Sequence, residues 1–172
     1  SELALASLAL ELTNNPGHLK VELYTVYLAL ASLYYAAQGP LWQKDYYWFV
    51  DGVNPCEWYG VTCEGTGSDV IRLDLSQNNL QGNIPTEIGR LTMLEEVNFA
   101  ISNFVGGTIP SEFGLLSNLE TLDLEGCFVG GVLPTELANL AKLETLVVTR
   151  NNLEGTIPTE LGLCTSLGKM SR

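Results

Sequence analysis

Leu73-Asp74-Leu75-Ser76-Gln77-Asn78-Asn79-Leu80-Gln81-Gly82-Asn83-Ile84-Pro85 decides how this chain folds, because most of it recurs. The closing proline returns at Pro110, Pro134 and Pro158, at steps of 25, 24 and 24 residues. A glycine stands three residues before each proline (Gly82, Gly107, Gly131, Gly155), and a glutamate two after (Glu87, Glu112, Glu136, Glu160). A fixed period of this length means stacked units, each burying its apolar face only against its neighbours. Such a chain is a solenoid that presents a surface.

Within a unit, Leu73 and Leu75 point to one face of a short strand, which sends Arg72, Asp74 and Ser76 to the other. The third unit repeats the steps with Leu122, Leu124, Cys127 and Val129, and the fourth with Leu146, Val148, Asn151 and Leu153. The second unit, beginning Val97 and Phe99, is one residue longer. Aligning Asn103 with Asn78 and Asn151 puts the extra residue between Phe99 and Asn103, as a bulge. The three asparagines are expected to turn inward and satisfy backbone groups of the adjoining turn. Cys127 takes that place in the third unit with a weaker donor. Cys164 replaces the aliphatic residue held by Leu91, Leu116 and Leu140, so it reads as a buried thiol, and no bridge to Cys127 is expected. Thr86, Ser111, Thr135 and Thr159 are expected to cap short helical turns, with the glutamates at helix N-termini rather than at a metal site.

Upstream of the periodic part the sequence changes character. Residues 1–13 carry five leucines in a helical pattern, and Asn14-Asn15-Pro16-Gly17 breaks it. A second helix is predicted from about His18 to Ala37, with Leu19, Leu23, Val26, Leu30, Leu33 and Ala37 as one stripe. Then come Trp42, Tyr46, Tyr47, Trp48, Phe49, Trp58 and Tyr59, expected to fill a cap over the first unit, with an aromatic ligand cradle such as a sugar site as the alternative. A Cys56–Cys63 bridge would close a short loop there, stabilising it by roughly 2–3 kcal/mol, and it suggests an oxidising compartment.

The x-Leu-x-Leu-x strand, the following asparagine and Leu-x-Gly-x-Ile-Pro resemble the plant-specific subclass of leucine-rich repeats. Cys56-Glu57-Trp58-Tyr59-Gly60-Val61-Thr62-Cys63 is similar to the N-terminal cap of plant and algal leucine-rich-repeat receptors and secreted proteins. Residues 31–42 resemble the helix preceding that cap. The resemblance implies an α/β solenoid: a right-handed superhelix with one parallel sheet on its concave face and a helical N-terminal cap. The expected division is 1–68 for the helical region and disulfide cap, and 69–172 for four repeats and the start of a fifth. No closing cap follows Leu167 and Met170, so continuation past Arg172, or cover by another chain, is expected. The start at Ser1 rather than Met suggests processing.

Eight Lys and Arg against twenty Asp and Glu leave a formal charge of −12, which opposes binding to nucleic acid or an anionic membrane. The longest uncharged run is broken by Gly39-Pro40, short of the about 20 apolar residues that span a bilayer. The single histidine, His18, has no nucleophile or metal partner in the pattern, and no phosphate loop or zinc spacing occurs. An enzyme is not expected, nor a cofactor or metal. The leading reading is recognition of a protein or peptide by the outward residues of the sheet. These are Arg72, Glu96, Thr121, Thr145 and Lys169 in one column, Asp74, Asn98, Asp123, Val147 and Ser171 in the next, and Ser76, Ala100, Glu125 and Thr149 in a third. Asp74, Glu96, Asp123 and Glu125 form an acidic centre suited to a basic partner. The alternative is an accessory subunit of a larger assembly, docking through residues 1–37 or the open C-terminal end. Inhibition of a secreted hydrolase is a third reading, implied by the resemblance alone. The expected location is extracellular, with an oxidising organelle lumen as the alternative.

Overall fold

The computed structural model describes residues 19–65, 69–102 and 107–172. The helix expected within 1–13, as well as His18 and Asn103, lies outside them. Helix α1, Leu19–Ala36, matches the predicted second helix. Its stripe of Val26, Leu30 and Leu33, extended by Ala37, is buried in the same core as the first repeat. At its C-terminal end Ala37 and Ala36 offer carbonyls that accept the amides of Gln81 (3.0 Å) and Asn83 (3.2 Å). Between those two, Gly82 has φ +93°, and a Cβ there would strike the Ala36 carbonyl. The helix end and the first repeat therefore satisfy each other's backbone.

Trp42, Trp48 and Trp58 are buried between α1 and the first repeat. Tyr34 meets Trp42 and Phe49 edge-on, with ring centroids 5.2 and 4.9 Å apart, and Trp48 lies 4.8 Å from Trp58. Trp42 Nε1 donates to the Ala37 carbonyl (2.8 Å) and Trp48 Nε1 to that of Tyr59 (3.0 Å). Trp58 Nε1 is buried without an acceptor among the described residues. Two of the expected cap rings do not go inside: Tyr46 is 62% exposed and Tyr47 56%. Tyr47 and Phe49, on either side of the buried Trp48, are both left-handed (φ 68° and 58°), but Phe49 packs against the core while Tyr47 stays outside. Cys56 and Cys63 form a disulfide, with their Cα atoms 5.5 Å apart.

Six short strands form the main sheet. Strand β1 (Val61–Cys63) belongs to the cap and runs antiparallel to β2 (Val70–Asp74), pairing Val61 with Leu73. Strands β3 (Glu96–Asn98) and β4 (Thr121–Asp123) follow in parallel. After the short β5 (Gly130–Gly131) comes β6 (Thr145–Val147), next to β4 in the sheet. Strand β7 (Asn152–Leu153) pairs with β5 in a second, two-stranded ladder. Strand β8 (Lys169–Ser171) ends the main sheet. The parallel sheet of the expected solenoid is thus present, with an antiparallel cap strand added at its edge. Leu73, Val97, Leu122 and Leu146 stack inside it, followed by Leu75, Phe99, Leu124 and Val148.

Four 3-10 turns line the side away from the sheet: Thr86–Arg90, Ser111–Leu115, Thr135–Asn139 and Thr159–Leu163. The expected hydroxyl caps are absent from them. The preceding prolines occupy the cap positions, which moves each hydroxyl into the first helical position. There it donates to the neighbouring glutamate, at 3.2–3.3 Å.

The second unit also departs from the expected register. Two residues after the last inward strand residue, each unit has a left-handed residue: Gln77 (φ 52°), Ile101 (58°), Gly126 (63°) and Arg150 (58°). The amides of the first three bond the next unit's backbone in the same way, to Ala100, Glu125 and Thr149. The residue that follows is Asn78, Ser102, Cys127 or Asn151. Ser102, not Asn103, therefore stands in the asparagine column, fully buried. The extra residue falls between Ser102 and Gly107 instead of between Phe99 and Asn103.

Candidate functional site: the concave sheet

Backbone pairing fixes the outward columns. Arg72, Glu96, Thr121, Thr145 and Lys169 are paired neighbour to neighbour, and so are Asp74, Asn98, Asp123, Val147 and Ser171. Ser76, Ala100, Glu125 and Thr149 follow the inward residues Leu75, Phe99, Leu124 and Val148 at the same step, and all four are half-buried. Thr62 of the cap pairs with Arg72 and carries the first column one strand further.

The acidic centre is partly compensated. Arg72 pairs with Glu96 at 2.8 Å, and Arg150 with Glu125 at 3.2 Å. Three members of the second column turn one oxygen back on the chain: Asp74 accepts the Ser76 amide (3.1 Å), Asn98 that of Ala100 (3.0 Å) and Asp123 that of Glu125 (2.9 Å). These bonds satisfy amides where each strand leaves the sheet and hold the three side chains in one orientation. The remaining carboxylate oxygens of Asp74 and Asp123, and the Asn98 amide nitrogen, make no hydrogen bond among the described residues. In the fourth unit Val147 is only 6% exposed, so the column loses its polar group there. The unbroken polar run of this second column spans β2 to β4.

Beneath this face the asparagine column ties the units together. Asn78, fully buried, bonds the cap: Lys44 donates its amide to Oδ1 (2.7 Å) and Nδ2 donates to the Lys44 carbonyl (2.9 Å). Asn151 donates to the carbonyls of Leu124 (2.7 Å), Val148 (3.0 Å) and Thr149 (3.2 Å), and accepts the Val129 amide (3.0 Å). Cys127 keeps one such link, its thiol donating to the Phe99 carbonyl at 3.1 Å. Burial pushes that thiol from its ordinary value near 9 up to about 12, opposed in part by a backbone hydrogen bond from Ser102. Among the described residues the Ser102 hydroxyl has no partner. Cys127 and Cys164 are both free, and burial also raises the Cys164 thiol.

A second concavity lies on the cap, lined by Tyr46, Tyr47, Glu57 and Tyr59. Sequence reasoning expected these rings to fill the cap and held a ligand cradle as the alternative; it did not separate the exposed rings from the buried ones. It also missed Arg150 as the counter-ion of Glu125. Among the described residues no group of three or more His, Cys, Asp and Glu is arranged to hold a metal ion. The sheet offers fixed acceptors, an amide and hydroxyls on a rigid frame, which is the chemistry of recognition.

The leucine-rich-repeat family model matches residues 69–91, 118–140 and 142–164. A nodulation receptor kinase of Pisum sativum is 43% identical over 58 residues, covering 31% of this chain and 6% of that protein. The curated relatives are matched over 5–29% of their own length. Among solved structures, the BIR2 ectodomain of Arabidopsis thaliana superposes with a TM-score of 0.78 at 27% identity, covering 85% of this chain and 78% of that one. The plant peptide hormone receptor RGFR1, solved in complex with RGF2, gives a TM-score of 0.53 at 40% identity, covering 54% of this chain and 15% of that one. Period, sheet, cap disulfide and these likenesses agree: the chain is a leucine-rich-repeat protein of the plant type.

Proposed function

We propose that this chain is a non-catalytic recognition module that binds a protein or peptide along its concave sheet, outside the cell. One observation carries the reading: Asp74, Asn98 and Asp123 are held in register on a rigid sheet, each anchored by one atom and free at another. An extended peptide laid across the strands could meet this row at every rung. The structural likeness to a plant peptide hormone receptor solved in complex with RGF2 supports a peptide as the partner. The cap disulfide favours an oxidising exterior, and no helix among the described residues is long and apolar enough to cross a membrane. The accessory-subunit reading is less favoured, because the described part of the front end commits Val26, Leu30 and Leu33 to the chain's own core.

Selection of soluble random peptides on the immobilised chain tests this. A variant carrying Asn98→Arg and Thr121→Arg, both on the outward face, blocks the row without touching the core. Peptides enriched on the wild type should bind the variant at least about tenfold more weakly, as expected when a central contact is lost. No enrichment, or equal binding to both proteins, would overturn the reading.

A further inference from the structure

The hollow on the cap is not used by the concave-sheet reading. Tyr46 and Tyr47 stand largely in solvent, and Tyr59 approaches Tyr46 edge-on with ring centroids 6.0 Å apart. Tyr47 combines a left-handed backbone, φ 68°, with an exposed ring. A bulky side chain in that conformation costs stability, and this one recovers little through burial. Ile101 and Phe128 in the repeats share this state, so at Tyr47 the distinguishing feature is the neighbouring rings and carboxylate rather than the strain. Glu57 lies in the same lining and is in neither of the two ion pairs formed among the described residues. The surface already holds one cation: Lys44 Nζ sits 5.4 Å from the Tyr59 ring centroid and donates to its hydroxyl at 3.2 Å. The hollow also adjoins the polar row. Gly60, next after Tyr59, accepts the Asp74 amide at 2.8 Å through its carbonyl.

We propose that Tyr46, Tyr47, Tyr59 and Glu57 form a cradle for a guanidinium group, anchoring an arginine of the peptide that lies along the concave sheet; the peptide part rests on the proposed function. A guanidinium can lie flat on a phenol ring while donating two hydrogen bonds to one carboxylate, which a compact ammonium cannot do. The chain's charge of −12 attracts a cation and repels an anion. A neutral sugar would gain from the rings but not from the carboxylate's charge or the chain's net charge.

Amide NMR titration of the full chain with N-acetyl-arginine amide tests the cradle without any peptide ligand. The matching lysine and glutamate amides and cellotriose serve as competing probes. The arginine compound should shift the amides of Tyr46, Tyr47, Glu57 and Gly60 saturably, more tightly than the lysine compound, with no response to glutamate. Tyr47→Asn, which suits a left-handed backbone, and Glu57→Gln should each weaken binding about two- to fivefold. Both residues are exposed, so their thermal midpoints should stay close to wild type. Absence of a saturable shift, lysine binding as well as arginine, a stronger response to cellotriose, or unchanged affinity in both variants would each overturn the cradle. Arginine binding by a chain that enriches no peptide would support the cradle and remove the concave-sheet reading.

Discussion

The cap and the repeats solve one packing problem in opposite ways. In the repeats, Leu75, Phe99, Leu124 and Val148 do the same work at the same step, and each is sealed by the rung on either side. In the cap no ring has a counterpart: Trp42, Trp48 and Trp58 each fill a different space, two of them with their own acceptor. Asn78 belongs to both regions, standing in the repeat column while bonding Lys44 of the cap. A periodic core shares its load among equivalent positions, whereas an aperiodic one depends on single residues. The cap also closes the sheet edge, through β1, that a bare first rung would leave unpaired.

The largest expected effect falls on the cap. Trp48→Ala removes a buried ring and leaves the Tyr59 carbonyl without its donor, and should cost about 3–5 kcal/mol in chemical denaturation. A loss no greater than that of a surface substitution would erase the contrast. Next is Asn151→Ala in the repeats, which strands the Val129 amide and the Leu124 carbonyl and should cost about 2–3 kcal/mol. A neutral result would mean that the column does not tie the rungs together.

Cys127→Asn should be smaller, within about 1 kcal/mol of wild type near neutral pH, because an amide there can also reach the Phe99 carbonyl. Its effect should grow with pH. The folded thiol ionises near 12 and the unfolded one near 9, so between those values the unfolded state binds fewer protons and wild-type stability falls as pH rises. The asparagine variant should lack that component of the decline, and parallel stability curves from pH 8 to pH 11 would contradict the burial of this thiol. Smallest is Ile101→Gly. A β-branched residue at φ 58° with 56% of its surface exposed gains little from its side chain. Glycine, as Gly126 shows one rung on, should raise stability by about 0.5–1 kcal/mol. Destabilisation in a thermal melt would place Ile101 in contacts that the turn geometry does not show.

What the sequence revealed divides along the same line. The columns from Arg72 to Lys169 were legible because strand period and repeat period together fix which residues stand side by side. Ser102 was not, since matching asparagine to asparagine ignores the left-handed residue that sets the turn, and Ile101 gives no glycine to mark it. The inward bonds of Asp74, Asn98 and Asp123 carried a readable signal, an Asp or Asn two residues before the amide it caps. Arg150 was hidden because its pairing with Glu125 joins a turn of one unit to the rim of another. In the aromatic segment no period separates the rings that go inside from Tyr46 and Tyr47.

Native-state hydrogen exchange in low denaturant tests most directly whether cap and repeats form one sealed stack beneath the concave face. The amides of Lys44 and Asp74 report the joint between cap and repeats, and those of Phe99, Leu124 and Val129 report the repeat interior. The account predicts that all five exchange through a common opening with the same free energy and the same denaturant dependence. A cap pair that opens at distinctly lower free energy while the repeats stay closed would contradict it.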